Sequence, residues 1–208
     1  MQRSPASPRH SPSITPKRDA VVPIDLLFGS LDSSIGTIVV ACRGSAACAI
    51  EFVPYENRMR AELRARFPHF RRVDTSDPGG VCSRLRTYLQ GQFDALDDIA
   101  IDAGGTPFQH KVWAELRRIR SGTVVTYGEL AKRLDIPNAV RAVGHANALN
   151  AINIVVPCHR VVGANGSLAG YSGGIERKAW LLQHEGVAVK KLNGRSFTLV
   201  RPRIPAWP

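Results

Sequence analysis

Two apolar blocks lie early in the chain, at residues 35–41 and 47–53, with a Gly-Ser turn between them, and they predict paired strands. Residues 57–67, with Arg58, Arg60, Glu62, Arg64 and Arg66, read as a helix, and residues 82–90 form a second short helix closed by Gly91. One more strand is expected at residues 99–102. After the Asp-Ala-Gly-Gly-Thr-Pro linker at 102–107 the period changes to 3.6. Phe108, Val112, Leu116 and Ile119 then share one face of a helix running to Arg120, with Lys111, Arg117 and Arg118 off it. Residues 126–134 open with Thr126-x-x-Glu129, a capping-box pattern, and turn Leu130 and Leu134 inward. Asp135-Ile136-Pro137 interrupts the helix, and Asn138 is placed to cap another one through about Leu149. Two helices joined by a short Pro-containing turn have the outline of a helix-turn-helix. Residues 152–156 are β-branched and read as a short strand stopped by Pro157.

These elements predict an α/β (α+β) fold. A small N-terminal domain of mixed sheet and helix occupies residues 23–103. A mostly helical, winged-helix-like C-terminal domain with the helix-turn-helix follows at 104–188. Residues 1–22 hold four Ser and four Pro in their first sixteen positions and read as a flexible tail. Residues 189–208 form a C-terminal extension.

Length and composition narrow the class. A chain of 208 residues that is 44% hydrophobic can bury a real core, and no run approaches 18 apolar residues. The four cysteines, Cys42, Cys48, Cys82 and Cys158, contain no C-x-x-C pair, so neither a disulfide scaffold nor a standard zinc site is expected. A reducing cytoplasmic location is the simplest reading, beside the nucleoid in a bacterium or in the nucleus of a eukaryote. Net charge is +11, unevenly spread: +3 over residues 1–22, −2 over 23–104 and +10 over 105–208. That imbalance nominates a polyanion partner for the second half.

Two segments carry candidate chemistry. Residues 138–149 are thin, with Ala139, Ala142, Gly144, Ala146 and Ala148, while Arg141 and His145 project one turn apart. Such a helix suits close core packing, or close approach to a nucleic-acid groove with Arg141 inserted. The second segment is Cys158-His159-Arg160 after Pro157. A free thiol near pKa 8.5 is only about 3% thiolate at pH 7, and an adjacent His and positive charge raise that fraction. The alternative is a buried structural cysteine.

Several spaced motifs bring in a resemblance. Pro157-Cys158-His159-Arg160-Val161-Val162, Leu168-Ala-Gly-Tyr171-Ser-Gly-Gly174 and Leu181-Leu-x-x-Glu185-Gly186 resemble the methylated-DNA–protein-cysteine methyltransferases, the O6-alkylguanine-DNA alkyltransferases. Upstream, Phe108-x-x-x-Val112-Trp113, Val125-Thr-Tyr127-x-x-Leu130-Ala131 and Ala139-Val-Arg141-Ala-Val143-Gly144 follow in the same family's order. Residues 104–187 carry the resemblance closely and residues 24–103 loosely.

The resemblance implies a single-use repair protein, a monomer without metal or organic cofactor. Its partner is double-stranded DNA containing O6-alkylguanine, and O4-alkylthymine is left open as a second substrate. It places the acceptor thiol at Cys158, with His159 taking the thiol proton through water, Glu185 orienting that histidine and Asn150 bracing the active-site turn. Tyr127 helps turn the nucleotide and protonates the departing base, while Arg141, on a helix with Ala142 and Gly144 in the minor groove, fills the gap left by the flipped base. The carbonyls of Cys158 and Val161, with Tyr171 and Ser172, form the wall that reads guanine. Two departures from the common pattern, Ala151 after Asn150 and Asn153 at a pocket-lining position, bear on which alkyl groups fit. A non-catalytic alkylated-base sensor and a helix-turn-helix regulator are the competing readings. Sensors of that kind replace the cysteine, and the thin helix carries few side chains able to read bases.

Overall fold

The computed structural model describes residues 23–194 and 196–200; the tail expected at 1–22 lies outside the described residues. Strands β1 (Asp25–Leu31), β2 (Ile38–Arg43), β3 (Ala46–Phe52) and β4 (Arg71–Asp74) form one sheet in the order β3-β2-β1-β4. β1 and β2 are antiparallel, as are β2 and β3, whereas β4 runs parallel to β1. A parallel neighbour needs a crossover, and helix α1 (Glu56–Arg66) lies on that connection. α1 buries Met59 and Leu63 against Leu26, Phe28, Val39, Ala41 and Ala49. The opposite sheet face, with Ile38, Val40, Ile50 and Phe52, joins the main core beside α2 (Val81–Leu89). Both faces of β2 and β3 are covered, so these strands read as continuous apolar runs rather than as clean alternation.

β4 escaped the sequence reading because Arg71-Arg72-Val73-Asp74 is an edge strand with only Val73 half-buried. The strand expected at 99–102 shrinks to one parallel bridge between Ile101 and Ala47. Gly104 and Gly105, at φ +64° and +89°, then turn the chain away from the sheet.

The second half contains α3 (Pro107–Arg117), β5 (Val125–Thr126), α4 (Tyr127–Arg133), α5 (Val140–Ala148), β6 (Val161–Val162) and α6 (Ile175–His184). Thr106 and Gln109 form a reciprocal capping box on α3, and Thr126 and Glu129 form the expected one on α4. α4 and α5 are consecutive and packed, with Leu130, Ala131, Val143 and Ala146 in the main core. The Trp113 indole donates to the Ala146 carbonyl at 2.9 Å and pins α5 to α3. Asn138 does not cap α5: Ala139 holds that position without a side-chain bond. Backbone bonds close the turn instead, from Ile136 to Ala131 and from Ala139 to Ile136, with Asp135 at φ +60°.

Residues 152–156 are not a strand. Ile152 makes a single bridge to Ile50, and the chain then turns, with Ile154 in the left-handed region at φ +72°. The Asn150 amide bonds the local backbone, the Asn153 amide donates across the fold to the Ile50 carbonyl, and together they override β propensity. Past α6, strands β7 (Val189–Lys191) and β8 (Phe197–Leu199) form a hairpin. Its Val189 and Leu199 pack with Val162, Leu168, Ala179 and Leu182, so the described part of the C-terminal extension belongs to the folded unit. Among the described residues no helix is long and apolar enough to cross a membrane.

Candidate active site

The turn after α5 delivers Cys158. The Asn150 amide donates to the Val156 carbonyl at 2.8 Å and to the Cys158 sulfur at 3.1 Å, and its oxygen accepts from the Ile152 N–H at 3.0 Å. Asn150 thus braces the turn and touches the thiol. Cys158, His159 and Arg160 form one 3-10 turn, all three buried, with Cys158 only 2% exposed. Burial pushes the Cys158 thiol up, and the Asn150 bond and the Lys178 charge offset this only in part. This corrects the expectation of a thiol activated at rest by its neighbours. The resting group is a protonated thiol that must lose its proton when it reacts.

His159 is the adjacent base. Burial lowers its pKa, so the imidazole is neutral near pH 7. Its Nε2 lies 3.0 Å from Glu185 Oε1. Burial alone would raise the Glu185 carboxyl, but His159 and Arg160 overrule it and hold the group well below the ordinary carboxylate range. An ionised carboxylate only accepts, so Nε2 carries the hydrogen and Nδ1 keeps its lone pair. That Nδ1 has no hydrogen-bond partner among the described residues. It is the nitrogen able to take a proton.

Glu185 is held from three sides. Tyr88 donates to it at 2.6 Å, and Arg160 donates through Nε at 3.0 Å and a terminal nitrogen at 2.7 Å. Arg160 also bonds the Ile119 carbonyl and the Ser121 hydroxyl, which ties the cluster to the end of α3. Sequence reasoning treated Arg160 only as nearby charge and missed Tyr88, which lies on the apolar face of α2 with Val81 and Leu85 and reads as a core aromatic.

The opposite wall comes from residues 161–172. Val161 is buried, and its carbonyl accepts from Lys178 Nζ at 2.6 Å; the same ammonium bonds the Ala169 carbonyl at 2.7 Å. Lys178 is fully buried, and burial lowers its pKa to about 8. The signal for it was present: a lysine one turn from Ile175 and Leu182 on the inner face of α6. The Tyr171 hydroxyl is buried without a partner among the described residues, and its ring centroid lies 6.3 Å from that of His159. Ser172 donates to Asn153 at 3.0 Å. The Tyr127 hydroxyl lies 3.4 Å from the Ala169 carbonyl, and burial raises its pKa.

Arg141 and Ala142 are exposed on α5, outside this hydrogen-bonded cluster. Gly144 lies beneath them, where a Cβ would meet the Tyr127 ring at 3.8 Å, an ordinary contact. The cluster therefore joins a thiol, a neutral base, an ionised orienting carboxylate and a wall of oriented carbonyls. Such a set can perform displacement at carbon by sulfur. Among the described residues no three His, Cys, Asp or Glu side chains are placed to hold a metal ion.

Residues 107–187 match the family model described as 6-O-methylguanine DNA methyltransferase, DNA binding domain. Over 164 residues the chain is 45% identical to a methylated-DNA–protein-cysteine methyltransferase of Salmonella typhimurium, spanning 77% of this chain and 96% of that protein. A protein of the same name from Mycobacterium bovis is 39% identical over 161 residues, spanning 76% and 91%. The crystal structure of Mycobacterium tuberculosis O6-methylguanine methyltransferase aligns with a TM-score of 0.62 at 35% identity, over 77% of this chain and 92% of that one. A structure of OGT from the same organism in complex with DNA gives 0.61 at 36% identity, over 76% and 92%. The site and these likenesses agree: the chain belongs to the methylated-DNA–protein-cysteine methyltransferase family.

Proposed function

We propose that this protein repairs duplex DNA by moving an alkyl group from O6 of an alkylated guanine onto Cys158, once per molecule. In the transfer the O6–carbon bond breaks and a carbon–sulfur bond forms. The thiol proton passes to His159 Nδ1, and the departing guanine takes a proton from Tyr127. The product is a thioether without a leaving group, so the acceptor is consumed. The observation that carries this reading is the Cys158 sulfur held at 3.1 Å by Asn150, beside a His159 locked by Glu185 at 3.0 Å.

The remaining assignments follow the same reading. Residues 104–188 bind DNA and perform the transfer, and residues 23–103 support them. Arg141, exposed on α5, enters the duplex from the minor groove and occupies the place of the flipped nucleotide, with Ala142 and Gly144 allowing close approach. The carbonyls of Cys158 and Val161, with Tyr171 and Ser172, receive the base. The Val161 carbonyl keeps one lone pair for guanine beside its bond to Lys178.

The test is intact mass after incubation with duplex DNA containing one O6-methylguanine. The expected result is a stoichiometric gain of one methyl group, mapped to Cys158, with no second turnover. Cys158→Ala is expected to bind the same duplex and gain nothing. A methylated Cys158→Ala protein, or multiple turnover by wild type, refutes the proposal.

A further inference from the structure

The wall that receives the base is tied to the N-terminal sheet by a chain of buried polar side chains. Asn153 is fully buried. Its amide donates to the Ile50 carbonyl at 3.1 Å and to Glu51 Oε1 at 3.0 Å, both at the end of β3. Its oxygen accepts from the Ser172 hydroxyl at 3.0 Å. Glu51 is itself buried, and it also accepts from the Phe52 N–H at 3.0 Å and pairs with Arg58 of α1. One continuous path therefore runs from Arg58 through Glu51 and Asn153 to Ser172.

Packing alone does not account for this path. A buried carboxylate costs several kcal/mol unless it is paired and hydrogen-bonded, so an apolar residue at 51 would be the simpler solution for a core. Every hydrogen of the Asn153 amide and both of its ends are engaged, which fixes the side chain in one orientation. A fixed Asn153 fixes in turn the rotamer of a serine hydroxyl on the base-reading segment.

We infer that Asn153 is a positioning residue for substrate. Held by Glu51, it orients Ser172 and sets the affinity of the pocket for the alkylated base, and the N-terminal half thereby takes part in recognition. The inference rests on the alkyl-transfer reading above and deepens it. Asn153 acts through Ser172 and takes no part in moving protons or breaking bonds. Its loss should therefore weaken binding and spare the chemical step.

The experiment is single-turnover transfer from free O6-methylguanine base across a concentration series, read as the half-saturating concentration and the saturating rate. Asn153→Ala and Ser172→Ala each raise the half-saturating concentration about five- to tenfold, the usual worth of one hydrogen bond. Each leaves the saturating rate within about twofold. The double variant is no worse than the weaker single one, because both remove the same link. Asn153→Asp faces Glu51 with a second carboxylate and is the most impaired, and Glu51→Gln in that background restores affinity. Ser172→Ala deletes only a half-buried hydroxyl and is the reference for the double variant; if Asn153→Ala fails to fold, Asn153→Asp with and without Glu51→Gln reads the link. Additive single effects, a lower saturating rate at unchanged half-saturation, or no rescue by Glu51→Gln overturn the inference. A wild-type protein that gains no methyl group overturns the transfer reading itself, a separate and recognisable failure.

Discussion

Replacing Arg160 with Met separates what the buried guanidinium does for stability from what it does for the proton relay. Arg160 pairs with Glu185 through two nitrogens, at 3.0 and 2.7 Å, and both side chains are largely shielded from water. Methionine leaves the carboxylate buried with only Tyr88 and His159 as partners. Breaking a buried pair from one side costs about 3–5 kcal/mol. For a domain of this size each kcal/mol is worth roughly 2–4 °C, so Tm is expected to fall by about 6–20 °C. The relay changes as well. Burial is the main force lowering the His159 pKa, and the Arg160 charge lowers it further while Glu185 raises it. Removing that positive charge lets His159 hold its proton to higher pH. On the proposed mechanism the neutral imidazole takes the thiol proton, so transfer is lost as pH falls through the His159 pKa, and in the variant that loss moves toward neutrality. Thermal unfolding at pH 7.5 and single-turnover transfer between pH 5 and 8 check both effects. A Tm drop under about 3 °C, or an acid limb that stays in place, refutes the account of Arg160.

Arg141→Ala should slow transfer from duplex DNA by about 2–3 kcal/mol, roughly 30- to 150-fold, and leave transfer from free O6-methylguanine base close to wild type. Glu185→Gln should slow both substrates, and equal loss of both by a folded Arg141→Ala protein would remove the flipping role. Lys178→Met should destabilise by about 1–3 kcal/mol, because the Val161 and Ala169 carbonyls lose their donor. Between the folded Lys178 pKa of about 8 and the unfolded value of 10.5 the unfolded chain binds the extra proton. Wild type should therefore gain about 3 kcal/mol relative to Lys178→Met from pH 8 to 10.5, and a gap that narrows in chemical denaturation over that range counts against the assignment. DNA affinity should fall steeply with salt, since log K drops by about 0.9 per phosphate neutralised for each unit of log salt. A slope shallower than about −3 is incompatible with a groove contacted by the +10 half.

What the chain reveals by inspection follows the range of the interactions. The Thr126–Glu129 cap and the α3 face of Val112 and Leu116 are local, and both are present as expected. Cys158, His159, Glu185 and Asn150 were legible because a family pattern supplied their partners. Spacing alone could not bring His159 to Glu185 across 26 residues. Apart from the polar edge strand β4 and the turn before α5, the misses share a cause: long-range or side-chain bonding that outvotes local preference. Ile152–Val156 has the β-branched content of a strand, yet Asn150 braces it as a turn and Asn153 ties it to Ile50 and Glu51 across the fold. Tyr88 meets Glu185 across 97 residues, and no local signal marks a core tyrosine as a carboxylate donor. Asn153 stood out only as an unusual residue at its position, and its link to Glu51 exists only once the sheet is formed.

The β7–β8 hairpin lies past the segment shared with the family model, yet it is wired to the loop before α6. The Leu168 N–H donates to the Phe197 carbonyl at 3.0 Å, and the Leu199 N–H donates to the Gly166 carbonyl at 3.0 Å. That loop carries Ala169 and Gly170, whose carbonyls accept from Lys178. A chain cut after Val187 would keep every group of the transfer chemistry and still expose Val162 and Leu168 to water. Substitutions in these outlying residues therefore reach, through Leu168 and then Lys178, the Val161 carbonyl of the proposed base-receiving wall. On the proposed reading, that wall can be retuned from the hairpin without altering any residue that reacts.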